Sequence, residues 1–379
     1  MTGTHASIGV LGTGTMGAMT LWRLARRGLP AVGLEQFAPG HDQSSAGGET
    51  RIFRTAYMEG PQYVPLLQEA LTLWRELEAD SGQRLLTLNG GLTIGNPDSP
   101  ALQNLLEGIR AFGLPHEILD GAAARDRYPQ HPLRDGESMI LDRNAGFLRP
   151  ELAVLHAAAS AERAGATVER YTRIHAIEPD DSGVTVRTDG GERRFERVVL
   201  AGGVWSGRLL PSLAPSIKPE RIVLTWFAPR RPELFSHQRF PVFIRDSPDI
   251  HMSGMPSVDG AGVKVSCRIT HSPVPDPDEL NRTVTAADLE PVRDTVARLL
   301  PDLYPDPIRV GAYMDGYTPD KHALVGALPG TDRVIVLAGF SGHGFKMSPV
   351  IGDIAADLVI DGKTSRPVGH LAPDRFLVS

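Results

Sequence analysis

The sequence predicts an α/β fold in which a parallel-sheet domain is interrupted by a mostly antiparallel one. Three observations carry that prediction. A short apolar run, Ser7 to Leu11, passes through a glycine-spaced turn into an amphipathic stretch and a second apolar run, Ala31 to Leu34. Alternating segments, "RIVLTWFAP", "FPVFIRD", "IHMSGMPS" and "GVKVSCRI", follow one another from Arg221 onward and read as strands of a second sheet. The end of the chain, "LAGFSGHGFKMSPVIG" (Leu337 to Gly352), returns to a buried strand, a glycine run and a helix-like stretch. The 379 residues suit two domains, given the usual ~100–200 residues in each.

The elements follow in order. After the first strand, Gly12, Gly14 and Gly17 give G-x-G-x-x-G. Ala18 to Arg27 reads as a helix with apolar Met19, Leu21, Trp22 and Leu24, closed by Gly28. The second strand ends at Glu35. Glycines in that pattern allow a tight turn and close approach to a pyrophosphate at the helix N-terminus. An acid about 20 residues further on is placed to hold a ribose hydroxyl. The unit therefore predicts dinucleotide binding through Gly12, Gly14, Thr15, Met16, Gly17 and Glu35, and leaves NAD and FAD both open.

"SSAGGETRIFRTAY" (Ser44 to Tyr57) follows, with Arg51 and Arg54 three apart; on a helix that spacing would set both guanidiniums on one side. Pro65 to Glu78 reads as an amphipathic helix, and Ala101 to Phe112 and Ala122 to Tyr128 as shorter ones. A helix starting near Pro150 leads to a strand near Val168. "VTVRTDGGERRFERVVLAGGVW" reads as a hairpin turning at Asp189-Gly190, then a buried strand Arg197–Leu200. Nucleotide-domain pieces thus fall at 1–84, 142–215 and 318–379, and a substrate domain at 85–141 and 216–317. A nucleotide domain interrupted by a sheet that can cover a flavin ring favours FAD.

Composition excludes other classes. The net charge of −6 is spread along the chain, so no nucleic-acid partner is expected. No apolar stretch reaches ~18 residues, so no membrane span is expected. Cys267 is the sole cysteine, so no internal disulfide is possible and a cytoplasmic location is expected.

"GTGTMG", "GGETRIFRTAYMEGPQYVPL", "LAGGVWSGRLL", "GVKV", "YTPDKHALVGALP" and "AGFSGHGFKMSPVIGDIAADL" keep, in order and spacing, a close resemblance to the monomeric sarcosine oxidase and N-methyltryptophan oxidase family. That resemblance implies FAD in a glutathione-reductase-like Rossmann domain with an antiparallel substrate sheet. It implies oxidation of a secondary amine or N-substituted amino acid by hydride loss to flavin, imine hydrolysis, and reduction of O2 to H2O2. Alternatives are an FAD-dependent dehydrogenase with another acceptor, or a glycine-oxidase-like enzyme of a biosynthetic route. Gly342, His343 and Gly344 would approach the pyrimidine end of the flavin, Thr50 and Arg51 would lie beside it, and Lys264 would assist O2 activation. Arg54 and Lys346 would hold a substrate carboxylate; arginine offers a bidentate fork and lysine a point charge. Gln36, Ser44, Arg173, Ile174, Gly202, Trp205, Tyr313 and Phe345 complete the expected cofactor contacts, with Arg51 and Lys264 as candidate catalytic residues. The expected partners are a small, carboxylate-bearing substrate and O2, on a monomer or weak dimer.

The sequence also departs from the family. Tyr313 stands where a flavin-linking cysteine is often found, so FAD is expected to be held without a covalent bond. Arg268 replaces a histidine that often lines the substrate cavity, and Met252 and Ser253 stand near a lost aromatic residue. Ala46 and Gly47 replace a histidine pair. The substrate wall, with Arg54, Lys346, Arg268, Ser253 and Met252, is therefore expected to suit something larger than sarcosine.

Overall fold

The computed structural model describes residues 7–376 except 259 and 261; the chain ends included in the first and last segments above, 1–6 and 377–379, lie outside the described residues. A six-stranded sheet runs in the order Leu324–Ala327, Val334–Ala338, Arg197–Leu200, Ile8–Leu11, Ala31–Leu34, Thr167–Glu169. Its inner pairs are parallel, and only Leu324–Ala327 runs against its neighbour. The central strands are short Val/Leu-rich runs because helices bury them. Three helices, Thr15–Arg26, Pro150–Arg163 and Ser348–Asp361, share one core with them, including Trp22, Val154 and Ile354. Charges lock the first and last helices together: Arg23 reaches Asp353 at 2.5 Å, and Arg27 reaches Asp353 at 2.7 Å and Asp357 at 2.8 Å.

Periodicity alone starts the first helix at Ala18, but the structure starts it at Thr15, with Gly14 as N-cap. Glycines and small residues carry no apolar period, so the first turn was invisible to that argument. The hairpin does turn at Asp189-Gly190, where Thr188 pairs Gly191. Arg51 and Arg54 do not share a helix. Arg51–Phe53 is a short strand paired with Gly146–Leu148, so the two guanidiniums go to different partners.

The second sheet has nine strands. Lys218–Pro229 is flanked by Val263–Cys267 and by the long strand Leu303–Tyr317, and Val242–Ser247 and Ile250–Met255 continue the sheet. Among the described residues Leu303–Tyr317 pairs only with Lys218–Pro229, and an edge tolerates its prolines. Gly91–Gly95 joins parallel to Val242–Ser247, so the sheet is mixed. Residues opposite one another in a ladder share a face. On one face Met252, Val263, Val265 and Cys267 pack into a core closed by Val292, Val296 and Leu299 of the helix Ala286–Leu299. On the other, Lys264 pairs Trp226, Ser266 pairs Ser253 and Leu224, Tyr313 pairs Ile222, and Asp315 pairs Glu220. Lys264 reaches across to Gly48 and Thr50, so this second face looks toward the nucleotide-binding elements.

Candidate functional site

One continuous cleft runs between the two sheets. At one end it is lined by Gly12, Gly14, Thr15, Met16, Glu35 and Gln36, then by Ser44, Arg51, Arg173, Ile174, Gly202 and Trp205, and at the other by Asp315, Gly342, Gly344 and Phe345. The first end is built for phosphates. The helix Thr15–Arg26 has no side-chain cap and no acid in its first turn, which leaves its N–H groups and positive dipole end open. A Cβ at Gly17 would sit 1.8 Å from the Gly12 carbonyl oxygen, so only glycine lets the turn close this tightly. Glu35 accepts from the Thr13 N–H at 2.7 Å and the Phe37 N–H at 3.0 Å. Burial pushes its carboxyl up, but His41 and those N–H groups hold it below its ordinary range. A carboxylate with two oxygens retains acceptor capacity for a diol. Thr50 Oγ1 is buried without a partner among the described residues. These features fit FAD.

The loop 44–50 lies between part of the cleft and the strand Val263–Cys267: Ser44 and Ser45 line the cleft, and Lys264 reaches Gly48 and Thr50. Arg51 donates to the carbonyls of Thr50 at 2.8 Å, Ser45 at 2.7 Å and Gly47 at 2.5 Å. Lys264 is only 2% exposed and donates to the carbonyls of Gly48 and Thr50, each at 2.7 Å. Burial, and then the Arg51 charge, hold its ammonium well below the ordinary lysine range. Tyr313 lies behind this loop. A Cβ at Gly47 would meet its ring at 2.4 Å, so Gly47 makes the room that Tyr313 fills. Cys267, 3% exposed, belongs to the far core of the second sheet.

Beyond the 342–345 turn lies a second polar cluster. Lys346, 6% exposed, donates to the His343 carbonyl at 2.8 Å and approaches the Tyr57 hydroxyl at 3.4 Å. Trp74, on the helix Val64–Ser81, fixes this turn by donating to the Lys346 carbonyl at 2.9 Å. His343 bonds Tyr57 through Nδ1 at 2.8 Å and the Lys321 carbonyl through Nε2 at 2.7 Å. Burial lowers His343 to about 4, so it is neutral near pH 7. Arg54, 6% exposed, lies 4.6 Å from the Tyr57 ring centroid, and its Nη2 donates to both oxygens of Glu59 at 2.9 Å. Its Nε and Nη1 are buried with no partner among the described residues. Burial pushes Glu59 up, but the charges of Arg54, His343 and Lys346 outweigh it and bring the carboxyl down to about 2. Lys346 is lowered to about 7, first by burial and then by Arg54, against the pull of Glu59 and Asp315.

The remaining wall residues scatter. Arg268 is exposed beyond the end of Val263–Cys267, with its guanidinium 5.9 Å from the Tyr317 ring centroid. Met252 belongs to the far core, while Ser253 stands on the face that carries Lys264. Two acids went unread in the sequence. Glu59 lies in "AYMEG", five residues past Arg54, and charge pairing within that segment would have flagged it. Asp315 lies two residues after Tyr313 on the same strand, so alternation alone puts both on one face.

Among the described residues, no helix is long and apolar enough to cross a membrane, and no group of three or more His, Cys, Asp or Glu is placed to hold a metal ion. Residues 7–358 match the FAD dependent oxidoreductase family. The chain is 35% identical over 372 residues to the monomeric sarcosine oxidase of Streptomyces avermitilis, covering 97% of each chain. It is 32% identical over 375 residues to the N-methyl-L-tryptophan oxidase of Citrobacter koseri, covering 96% of each. Its fold is that of NikD, an amino acid oxidase of nikkomycin biosynthesis, with a TM-score of 0.84 at 22% identity and 97% of each chain covered.

Proposed function

The chain belongs to the FAD dependent oxidoreductase family, and we propose that within it this protein is an oxidase of a carboxylate-bearing secondary amine or N-substituted amino acid. The observation that carries the reading is the buried guanidinium of Arg54, whose Nε and Nη1 lack partners beside Lys346 and next to the flavin end of the cleft. Buried donors without partners are costly, and a ligand carboxylate would satisfy them. FAD, when bound, supplies the two-electron acceptor for the C–H bond next to nitrogen and passes the electrons to O2, giving H2O2. The chain's own residues bind and orient. Gly12, Gly14, Glu35 and the first turn of the helix Thr15–Arg26 hold the dinucleotide, and Arg54 and Lys346 hold the substrate by its carboxylate. The iminium product is hydrolysed to a carbonyl compound and a shortened amine. The similarity to sarcosine and N-methyltryptophan oxidases supports N-methyl amino acids as the first substrates to try. Anaerobic addition of a panel of N-methyl amino acids should bleach the flavin, and air should restore its colour with H2O2. Bleaching by simple amines alone, with every carboxylate-bearing amine inert, would overturn the reading.

Two further results are expected. Acid precipitation should release all FAD to the supernatant, because Tyr313 offers no thiolate and Cys267 is buried elsewhere; flavin left on the protein pellet would contradict this. Glu35→Ala should weaken FAD retention by roughly 1.5–3 kcal/mol, the worth of a hydrogen bond to a charged acceptor. Unchanged retention, read by equilibrium dialysis, would remove Glu35 from the ribose.

Lys346 also predicts a pH profile. It is charged below about 7 and neutral above. The affinity of the oxidised enzyme for acetate should therefore be highest below that pH and fall as pH rises through it. Lys346→Met should abolish that fall. A wild-type affinity that is flat from pH 6 to pH 8.5 would mean that Lys346 does not meet the carboxylate.

A further inference from the structure

Two acids line the cleft among its described residues. Glu35 lies at the nucleotide end. Asp315 lies at the opposite end, with Arg51 and the 342–345 turn. It stands on the sheet face that carries Lys264 and Ser253, two residues after Tyr313. Its carboxyl accepts the Gly316 N–H at 2.8 Å, and the Ser45 hydroxyl and Gly342 N–H also bond it. All three donors are neutral. They fix the carboxyl, but burial outweighs them and the Arg51 charge and raises it above its ordinary range, so its anion is short of a counter-charge. The cations that feel it donate to other groups: Arg51 to three carbonyls, Lys346 to the His343 carbonyl. Of the other acids near these cations, Glu59 gives both oxygens to Arg54, and Glu151 accepts the Gly48 and Glu49 N–H groups at 2.8 and 2.9 Å.

An amino acid that places its carboxylate on Arg54 and Lys346 must bury its ammonium next to the reacting carbon. A buried ammonium is tolerated only with a counter-ion. We propose that Asp315 is the specificity-determining counter-ion of the substrate nitrogen, so that the site selects zwitterionic amino acids over carboxylates or amines alone. The proposal rests on the Arg54–Lys346 end being a carboxylate site. It assigns the other half of the same substrate.

Three probes of equal shape separate the halves. 2-Aminoisobutyrate, pivalate and tert-butylamine differ only in whether the central carbon carries both groups, the carboxylate alone or the nitrogen alone, with methyls elsewhere. None has a hydrogen on the carbon next to nitrogen or carboxylate, so none can be oxidised there. Each is titrated into the oxidised holoenzyme and read by the shift in flavin absorbance. Wild type should bind 2-aminoisobutyrate about tenfold or more tighter than pivalate, as a hydrogen bond to a charged group implies. Asp315→Asn should remove that preference and leave pivalate binding the same or tighter. If Asp315→Asn fails to hold FAD, Asp315→Ser, which keeps a small polar group on the Gly316 and Gly342 N–H groups, serves instead. Pivalate bound as tightly as 2-aminoisobutyrate by wild type overturns the proposal without any variant, as does a preference that survives both substitutions. The failure of the carboxylate reading looks different: tert-butylamine binds in an Asp315-dependent way while pivalate does not bind.

Discussion

Arg54→Ala is expected to weaken binding of a small carboxylate to the oxidised enzyme by roughly 2–5 kcal/mol, or about 30-fold to several thousandfold. Two effects act in the same direction. The substitution removes the buried Nε and Nη1 donors that have no other partner. It also strands Glu59, whose two oxygens are each bonded to Arg54 at 2.9 Å. An unpaired carboxylate would then face the incoming one. Glu59→Gln separates the two effects: it keeps Arg54, removes the like charge, and should bind carboxylates as well as wild type or better. Titration of the flavin spectrum with acetate measures all three proteins. An Arg54→Ala enzyme that binds acetate within about twofold of wild type, a change too small for a lost buried ion contact, would refute the pair. The substrate would then be an amine without an acid group. A Glu59→Gln enzyme that binds far more weakly would mean that Glu59 holds Arg54 in its working rotamer, and that the guanidinium is not poised without it.

The cofactor end was legible because backbone geometry wrote it. Gly17 can be only glycine when a Cβ would meet the Gly12 carbonyl at 1.8 Å, and Glu35 must end a strand at a fixed distance. Residue type and spacing then imply position. The substrate end is different in kind. Arg54 and Lys346 lie 292 positions apart, and their shared environment depends on Tyr57, Trp74 and the 343 carbonyl, which no local pattern connects. Glu59 and Asp315 went unread for a related reason. An acid in a loop or an edge strand looks like an ordinary solvated charge until the fold shows what surrounds it. Leu303–Tyr317 went unread as well: its prolines interrupt the alternation, and an edge strand tolerates them. The reverse error came from spacing taken without context: Arg51 and Arg54 share a helix face only if there is a helix, and there is a strand.

Lys264→Met is expected to slow the oxygen half-reaction by orders of magnitude while leaving anaerobic bleaching by substrate within a few-fold. A fixed charge placed before the first electron arrives stabilises a developing superoxide without reorganisation, and loss of one such group costs about 10²–10³ in rate where it has been measured. The surroundings complicate the simple picture. Lys264 is buried, its ammonium is held well below the ordinary range by burial and by Arg51, and it spans the carbonyls of Gly48 and Thr50. Those two bonds also make it a post that shapes the loop at 48–50. Methionine removes both the charge and the donors, and unsatisfied buried carbonyls cost roughly 1–3 kcal/mol each. Lys264→Gln keeps donors within reach of the same carbonyls and removes only the charge. If Lys264 serves oxygen chemistry, both variants lose the fast reaction with O2, while Lys264→Gln melts near wild type. If it serves the loop, Lys264→Gln reacts with O2 at nearly the wild-type rate and Lys264→Met is defective in both half-reactions. Stopped-flow mixing of substrate-bleached enzyme with air-saturated buffer, set beside anaerobic mixing with substrate, distinguishes the two. Equal slowing of both half-reactions in Lys264→Gln would remove Lys264 from the oxygen step and place it with the residues that hold the loop against the cofactor.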